Sequence, residues 1–291
     1  MHTVSIKNFL KKNASIALFI LLTACSSTSS KHQAPTDGVK AGEGSSFKNM
    51  VPAAQLEASA VRQYDSMKVK AAQKNTLAPD SHPQVVRLRA ISKKILPHAQ
   101  VWNPDARAWK WEVNLFVSDQ VNAFCMPGGK IAFYTGILEK LKLNDDEVAM
   151  VMGHEIAHAL REHARDRIAK EQMSNLGANI LSQALGLGSL GSQALGQGFH
   201  LVGLSFSRAD EKDADLVGMD VAARAGYDPR AGISLWHKMG ASNKEKQAEW
   251  LSTHPSGEAR IYEMQRNMLD ALILYAKAKN TTVDRLPEYR P

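Results

Sequence analysis

His154-Glu155-Ile156-Ala157-His158 sets two imidazoles four residues apart, with a carboxylate directly after the first. On an α-helix, positions i and i+4 share a face about one turn apart. Two imidazoles so placed can bind one zinc ion. Glu155, rotated about 100° from His154, can then reach a water on that metal from the side. The chemistry this spacing supports is metal-assisted hydrolysis of a peptide bond.

The helix that must carry these residues has a start signal. Asn144 reads as its N-cap, and Glu147 three residues on completes a capping box. From Val148 to Leu160 the residues are apolar almost all round, which marks a buried helix. Gly153 stands directly before His154. An interior glycine costs about 1 kcal/mol relative to alanine, so its presence predicts close packing there. Residues 161–170 turn highly charged, and the helix is expected to run on through them into solvent.

A catalytic zinc usually takes three protein ligands and a water. Glu162 shares the face of His158 but lies about 12 Å along the axis from His154 at 1.5 Å rise per residue, too far for one ion. Glu171 is farther still. Arg161 and Ala164 exclude the metzincin extension of the motif. The next acidic cluster that opens a new helix is Ser207-Arg208-Ala209-Asp210-Glu211-Lys212-Asp213-Ala214-Asp215. There Glu211 and Asp215 are four apart on one face. One carboxylate can bind zinc, and the other can accept the spare ring N–H of a ligand histidine and so fix its tautomer.

The 291 residues, 44% hydrophobic, can bury a sizeable core, and the formal charge of +7 is mild. No basic stripe with interleaved aromatics is present, which argues against nucleic acid as a partner. Residues 1–24 read as a secretory leader: Lys7, Lys11 and Lys12, then the apolar run Ala14 to Thr23, too short to span a bilayer. Its loss takes three lysines from +7 and leaves +4. Leu22-Thr23-Ala24-Cys25 resembles a bacterial lipobox, with Cys25 as the lipidated residue. Ser26 after it, rather than Asp, favours the outer membrane, facing the periplasm. Residues 25–46, rich in Ser, Gly, Lys and Thr, read as a flexible tether, and residues 47–291 as the folded domain. With Cys25 lipidated, Cys125 has no partner for a disulfide and is expected to be a small buried residue.

Within the domain, Val51 to Lys74 and Pro83 to Leu96 read as helices, the second stopped by Pro97. Trp111 to Val117 alternates as a strand, with Trp111, Val113, Leu115 and Val117 on the apolar side. Asn122 to Met126 and Lys130 to Tyr134 read as two more strands joined by a turn at Pro127-Gly128-Gly129. Gly136 to Leu143 is a short helix. A helix opens at Asp228-Pro229 and closes at Gly240, and Glu258 to Lys279 is a final amphipathic helix. Helices, a small antiparallel or mixed sheet, then helices again give a mostly helical α+β fold. Residues 172–207 carry no Asp, Glu, Lys or Arg and repeat Ser-Gln-Ala-Leu-Gly, at Ser182 and again at Ser192. That stretch reads as a lid or plug over the site, or as a self-association or membrane-contact element.

Four motifs in order then resemble one family. They are Asn122-Ala123-Phe124 with Pro127-Gly128-Gly129; His154-Glu155-x-x-His158; Ser207-Arg208-x-x-Glu211-x-x-Ala214-Asp215; and Thr253-His254-Pro255-Ser256 with Arg260-Ile261. Over roughly residues 83–268 they resemble the HtpX and CAAX-prenyl-protease type of zinc metalloendopeptidases. The resemblance implies a gluzincin-like domain holding one Zn2+ per chain, with Glu211 as third ligand and Asp215 behind a ligand histidine. It implies a substrate strand at Asn122, Ala123 and Phe124, Glu155 as general base, and His254 as a group that helps stabilise the oxyanion. No stretch reads convincingly as one of the transmembrane helices of the membrane-embedded members, so the chain resembles their soluble, lipid-anchored bacterial branch. The expected substrates are misfolded or unassembled cell-envelope proteins, with the outer-membrane assembly machinery as a further partner. The rival expectation is a chaperone or assembly factor whose zinc site is latent.

Overall fold

A computed structural model describes residues 35–184, 201, 203–242, 249–255 and 257–290. They belong to the compact unit His32–Pro291; the unit Met1–Lys31, with the leader and Cys25, lies outside the described residues. So do residues 185–200, the middle of the stretch expected to form a lid.

Two helices come first, α1 (Ala53–Gln73) and α2 (Pro83–Ala99). Three short strands follow, β1 (Glu112–Phe116), β2 (Ala123–Met126) and β3 (Lys130–Tyr134). Then come α3 (Thr135–Lys140), α4 (Asp145–Leu160), α5 (His163–Ala184) and α6 (Arg208–Arg224). The chain closes with α7 (Ala231–Ser242), α8 (Glu249–Thr253), α9 (Glu258–Arg266) and α10 (Met268–Ala278). This is the mostly helical α+β fold with a small sheet. Among the described residues no helix is long and apolar enough to cross a membrane.

The sheet is mixed, in the order β1-β3-β2. β3 pairs parallel with β1 and antiparallel with β2. Its central place explains its continuous apolar run, buried on both faces. The β2–β3 turn needs glycine: Gly128 and Gly129 have φ of +78° and +81°. A Cβ on Gly129 would also stand 2.7 Å from the Trp111 ring. β2 is left as an edge strand, and among the described residues no strand pairs its outer side.

α4 is the axis of the core. Every residue from Glu147 to Leu160 is buried, with β2, α2, α6 and α7 packed around it. Its capping box is formed: Asn144 Oδ1 accepts the Glu147 N–H at 2.9 Å, and Glu147 Oε2 accepts the Asn144 N–H at 3.0 Å. Glu147 is fully buried and also accepts from Lys238 Nζ at 2.7 Å, so its charge is compensated inside the core. Asn144→Ala should therefore destabilise the fold by about 1 kcal/mol, read as a lower midpoint of thermal or urea unfolding.

Several expectations change. The central helix does not continue through residues 161–170. It ends at Leu160, and Glu162 takes a left-handed turn with φ of +58° before α5 begins. The charged run does not enter solvent either, because its charges are paired. Arg161 Nε lies 2.6 Å from Asp213, and Glu162 is held by Lys48 at 2.7 Å and Arg165 at 2.6 Å. Arg161, His163 and Asp166 are buried, and exposure begins at Lys170.

Pro97 lies inside α2, which runs on to Ala99. Its missing N–H removes only one bond from the final turn, while Ile95 and Ala99 bury into the core. β1 ends at Phe116, so Val117 is exposed rather than on the apolar face. The last helix is two. The Asn267 side chain bonds the Glu263 carbonyl at 2.9 Å, competing with the backbone ladder where α9 stops. The described part of the expected tether, from Pro35, is laid on the body. Val39 is buried, its N–H on Asp220 Oδ2 at 3.1 Å, and Arg224 holds Asp37 at 3.0 Å.

Candidate active site

Two helices cross with their backbones in contact, and this crossing assembles the site. A Cβ built on Gly153 of α4 would lie 2.5 Å from the Gly218 carbonyl oxygen of α6. With glycine on both sides, α6 comes close enough for its first two turns to reach the α4 histidines. Glu211 and Asp215 both point at them, fully or nearly fully buried.

One ligand atom from each of His154, His158, Glu211 and His254 lies within 4.8 Å of every other. His154 Nε2 stands 3.1 Å from His158 Nε2 and 3.2 Å from His254 Nδ1. Glu211 Oε1 stands 3.0 Å from His254 Nδ1 and 3.4 Å from His158 Nε2. The structure thus brings the sequence-nominated His154, His158 and Glu211 to one point. It also brings His254, which the sequence reading had kept apart from the ligands.

This donor set fits a zinc ion. His154 Nδ1 faces Asp215 Oδ1 at 3.0 Å, which places its proton there and turns the Nε2 lone pair to the cluster. Glu211 Oε2 is buried and makes no hydrogen bond, although Arg260 Nη1 stands 2.6 Å away out of alignment. Converging lone pairs beside an unsatisfied carboxylate oxygen are what a cation completes.

The electrostatics agree. Burial would raise Glu211, but its bonds to His154, His158 and His254 hold its carboxyl far below the usual range. Burial opposes Asp215 as well, and the Arg260 charge and hydrogen bonds bring it down. Burial pushes His158 well below its ordinary value, so it is neutral. Burial also works against His154, yet Asp215 and Glu211 together lift it to about 9. A cation that binds at its Nε2 must therefore displace a proton there, and the strongly negative field that holds this proton also favours the cation. Ionised carboxylates and a neutral imidazole are the states that metal ligation needs.

Glu155 is buried beside the cluster. Trp250 Nε1 donates to its Oε1 at 2.7 Å, and His254 Nε2 lies 3.7 Å from the same oxygen. Asn122 sits just before β2, with its Oδ1 on the Ala123 N–H at 2.9 Å, and Ala123 and Phe124 open the strand that packs on α4. Cys125, on the same strand, is half-buried in the structure, where a buried residue was expected, and desolvation pushes its thiol well up, which argues against a nucleophile.

Residues 84–268 match peptidase family M48. The chain belongs to that family. Mitochondrial metalloendopeptidase OMA1 of Saccharomyces cerevisiae is 31% identical over 217 residues, 69% of this chain and 61% of that protein. Its counterpart in Arabidopsis thaliana is 37% identical over 171 residues, 58% of this chain and 34% of that one. The beta-barrel assembly-enhancing protease of Escherichia coli is 30% identical over 161 residues, 50% of this chain and 32% of its own length. The chain thus spans between 32% and 61% of the length of these relatives.

Within this M48 domain, three side chains matter that residue spacing did not single out. Arg260 makes a two-pronged pair with Asp215, Nε and Nη2 both at 2.6 Å, and lies 3.9 Å over the Trp236 ring. The only sign of it was its place in the C-terminal motif. Trp250 holds Glu155, and nothing local announced it. His163 faces His158 across the helix break, which the expected unbroken helix concealed.

Proposed function

We propose that the chain is a zinc metalloendopeptidase that degrades misfolded or unassembled cell-envelope proteins. One observation carries the reading: a carboxylate, Glu155, stands beside the His154–His158–Glu211 donor set on the helix that backs an open strand edge. His154, His158 and Glu211 hold the metal in this reading, and Asp215 orients His154. Zinc bound there polarises a carbonyl and lowers the pKa of water. Glu155 takes the proton of the attacking water and passes it to the leaving amine. Four protein donors close a zinc site, whereas a catalytic site keeps one position open. His254 is the donor to withdraw: it follows the five-residue α8, while the other three sit on α4 and α6. Once withdrawn, its ring is free to donate to the oxyanion.

The free edge near Asn122, Ala123 and Phe124 suits an extended peptide, since main-chain pairing accepts many sequences. A mostly apolar pocket opens beside His158, walled by Leu56, Trp109, Cys125, Pro127, Ala159 and Phe206, with Glu57, Glu162 and Arg165 also in its lining. Buried apolar side chains, which unfolded proteins expose, fit such a wall. The relative in Escherichia coli named for beta-barrel assembly supports the envelope as the setting. The relatives named as mitochondrial share the domain, and the leader of residues 1–24 with Cys25 favours a lipid-anchored place on the periplasmic face of the outer membrane.

The test is zinc content with hydrolysis of casein by the purified protein. The expected result is one zinc per chain, cleavage stopped by a chelator and restored by added zinc. A protein that binds no zinc, or cleaves equally after chelation, would overturn the assignment.

A further inference from the structure

The two histidines of α4 are braced differently. His154 turns its outer nitrogen to a carboxylate, Asp215. His158 turns its outer nitrogen to another imidazole: Nδ1 of His158 and Nδ1 of His163 are 2.9 Å apart. Two facing ring nitrogens at that distance need one proton between them. Two lone pairs would repel, and two N–H groups would collide.

The rest of the cluster decides where that proton sits. His158 Nε2 points at His154 Nε2, 3.1 Å away, and at Glu211 Oε1, so a ligand role leaves the ring proton on Nδ1. His163 Nδ1 must then accept, and its own proton lies on Nε2. An acceptor waits there: Asp213 Oδ2 at 3.1 Å. Asp213 is fixed in turn by Arg161, with Nε at 2.6 Å and Nη2 at 3.2 Å. Arg161 also donates to the Gly42 carbonyl, tying the run to the segment laid over the body. With these tautomers both ring N–H groups have an acceptor, His158 on His163 and His163 on Asp213.

We propose that His163 is a positioning residue for the metal site: it fixes the tautomer and ring orientation of His158 by accepting its Nδ1–H and passing the constraint to Asp213. This rests on the zinc reading above. The helix break makes it feasible. On an unbroken helix, a residue five positions after His158 lies about 140° round the axis and faces away. The left-handed turn at Glu162 brings it back, and His163 is buried against its partner. Outer partners of ligand histidines typically change metal affinity by about 10- to 100-fold when removed.

The experiment compares the full chain with His163→Phe and His163→Gln. It measures zinc affinity by competition with a chromophoric chelator, and the thermal midpoint of each zinc-free protein. The glutamine amide can accept from His158 and donate to Asp213; the phenyl ring can do neither. The expected result is zinc binding weakened about 10- to 100-fold by the phenylalanine and held within a few-fold by the glutamine, with similar zinc-free midpoints. His163→Ala gives the same comparison if the phenyl ring prevents folding. Wild-type affinity in the phenylalanine or alanine variant would overturn the proposal, as would equal losses in all the variants. If the wild-type chain itself bound no zinc, both this proposal and the proposed function would fall. Zinc binding by wild type and variants alike would remove only this one.

Discussion

Glu155→Gln should lower the turnover of unfolded protein by about 10²- to 10⁴-fold, the usual contribution of a positioned general base. It should leave one zinc per chain. The substitution keeps the size of the side chain and removes only its ability to take up a proton. The amide oxygen can still accept from Trp250 Nε1, which now holds Glu155 at 2.7 Å, so the buried contact survives. Glu155 is not among the four convergent donors, so the metal set is untouched. Loss of hydrolysis together with loss of zinc would mean that the site had collapsed. Retained zinc and full hydrolysis would show that Glu155 is not the base. Retained zinc with hydrolysis lost, in a variant that still replaces the native protein in a deletion strain, would favour the chaperone reading.

Gly218→Ala should lower both stability and zinc affinity. In an ordinary helix it would gain about 1 kcal/mol. Here the new Cβ would stand 2.6 Å from the His154 backbone nitrogen and 2.7 Å from the Gly153 carbonyl carbon. Both are main-chain atoms of a buried helix and cannot rotate aside. α6 must move away from α4, at a cost of about 1–3 kcal/mol for such overpacking. Each kcal/mol lowers the thermal midpoint by roughly 2–4 °C in a domain of this size. The movement also carries Glu211 and Asp215 away from the histidines, so zinc affinity should fall with stability. Gly240→Ala is the control. Nothing lies within 4 Å of a Cβ there, and neither property should drop. Equal behaviour of the two variants would show that the crossing does not set the site.

Local spacing carried what local geometry can encode. The helix period alone puts His154 and His158 on one face, and Glu211 and Asp215 on another helix in the same relation. Asn144 and Glu147 mark the start of α4 because a capping box is a contact between neighbours in sequence. Alternation over Trp111 to Leu115 marked β1 for the same reason. Ion pairs across the fold were not legible: the run from Arg161 to Asp166 looks solvated until Asp213 and Lys48 are placed beside it. Nor was the break at Leu160, where Glu162 takes positive φ with no glycine to announce it.

Which helix carries the histidines, where that helix begins, and which two carboxylates could complete the set were all legible in the order of residues. The other contacts came only with the folded chain: His254 joins the donors, Arg260 and Trp250 hold Asp215 and Glu155, and His163 turns back onto His158. Those contacts join residues from 5 to 100 positions apart. The three longer ones rest on how closely α4 and α6 pack and on where α8 and α9 lie against them. Packing of that kind has no period in the chain; one methyl at Gly153 or Gly218 is enough to forbid it.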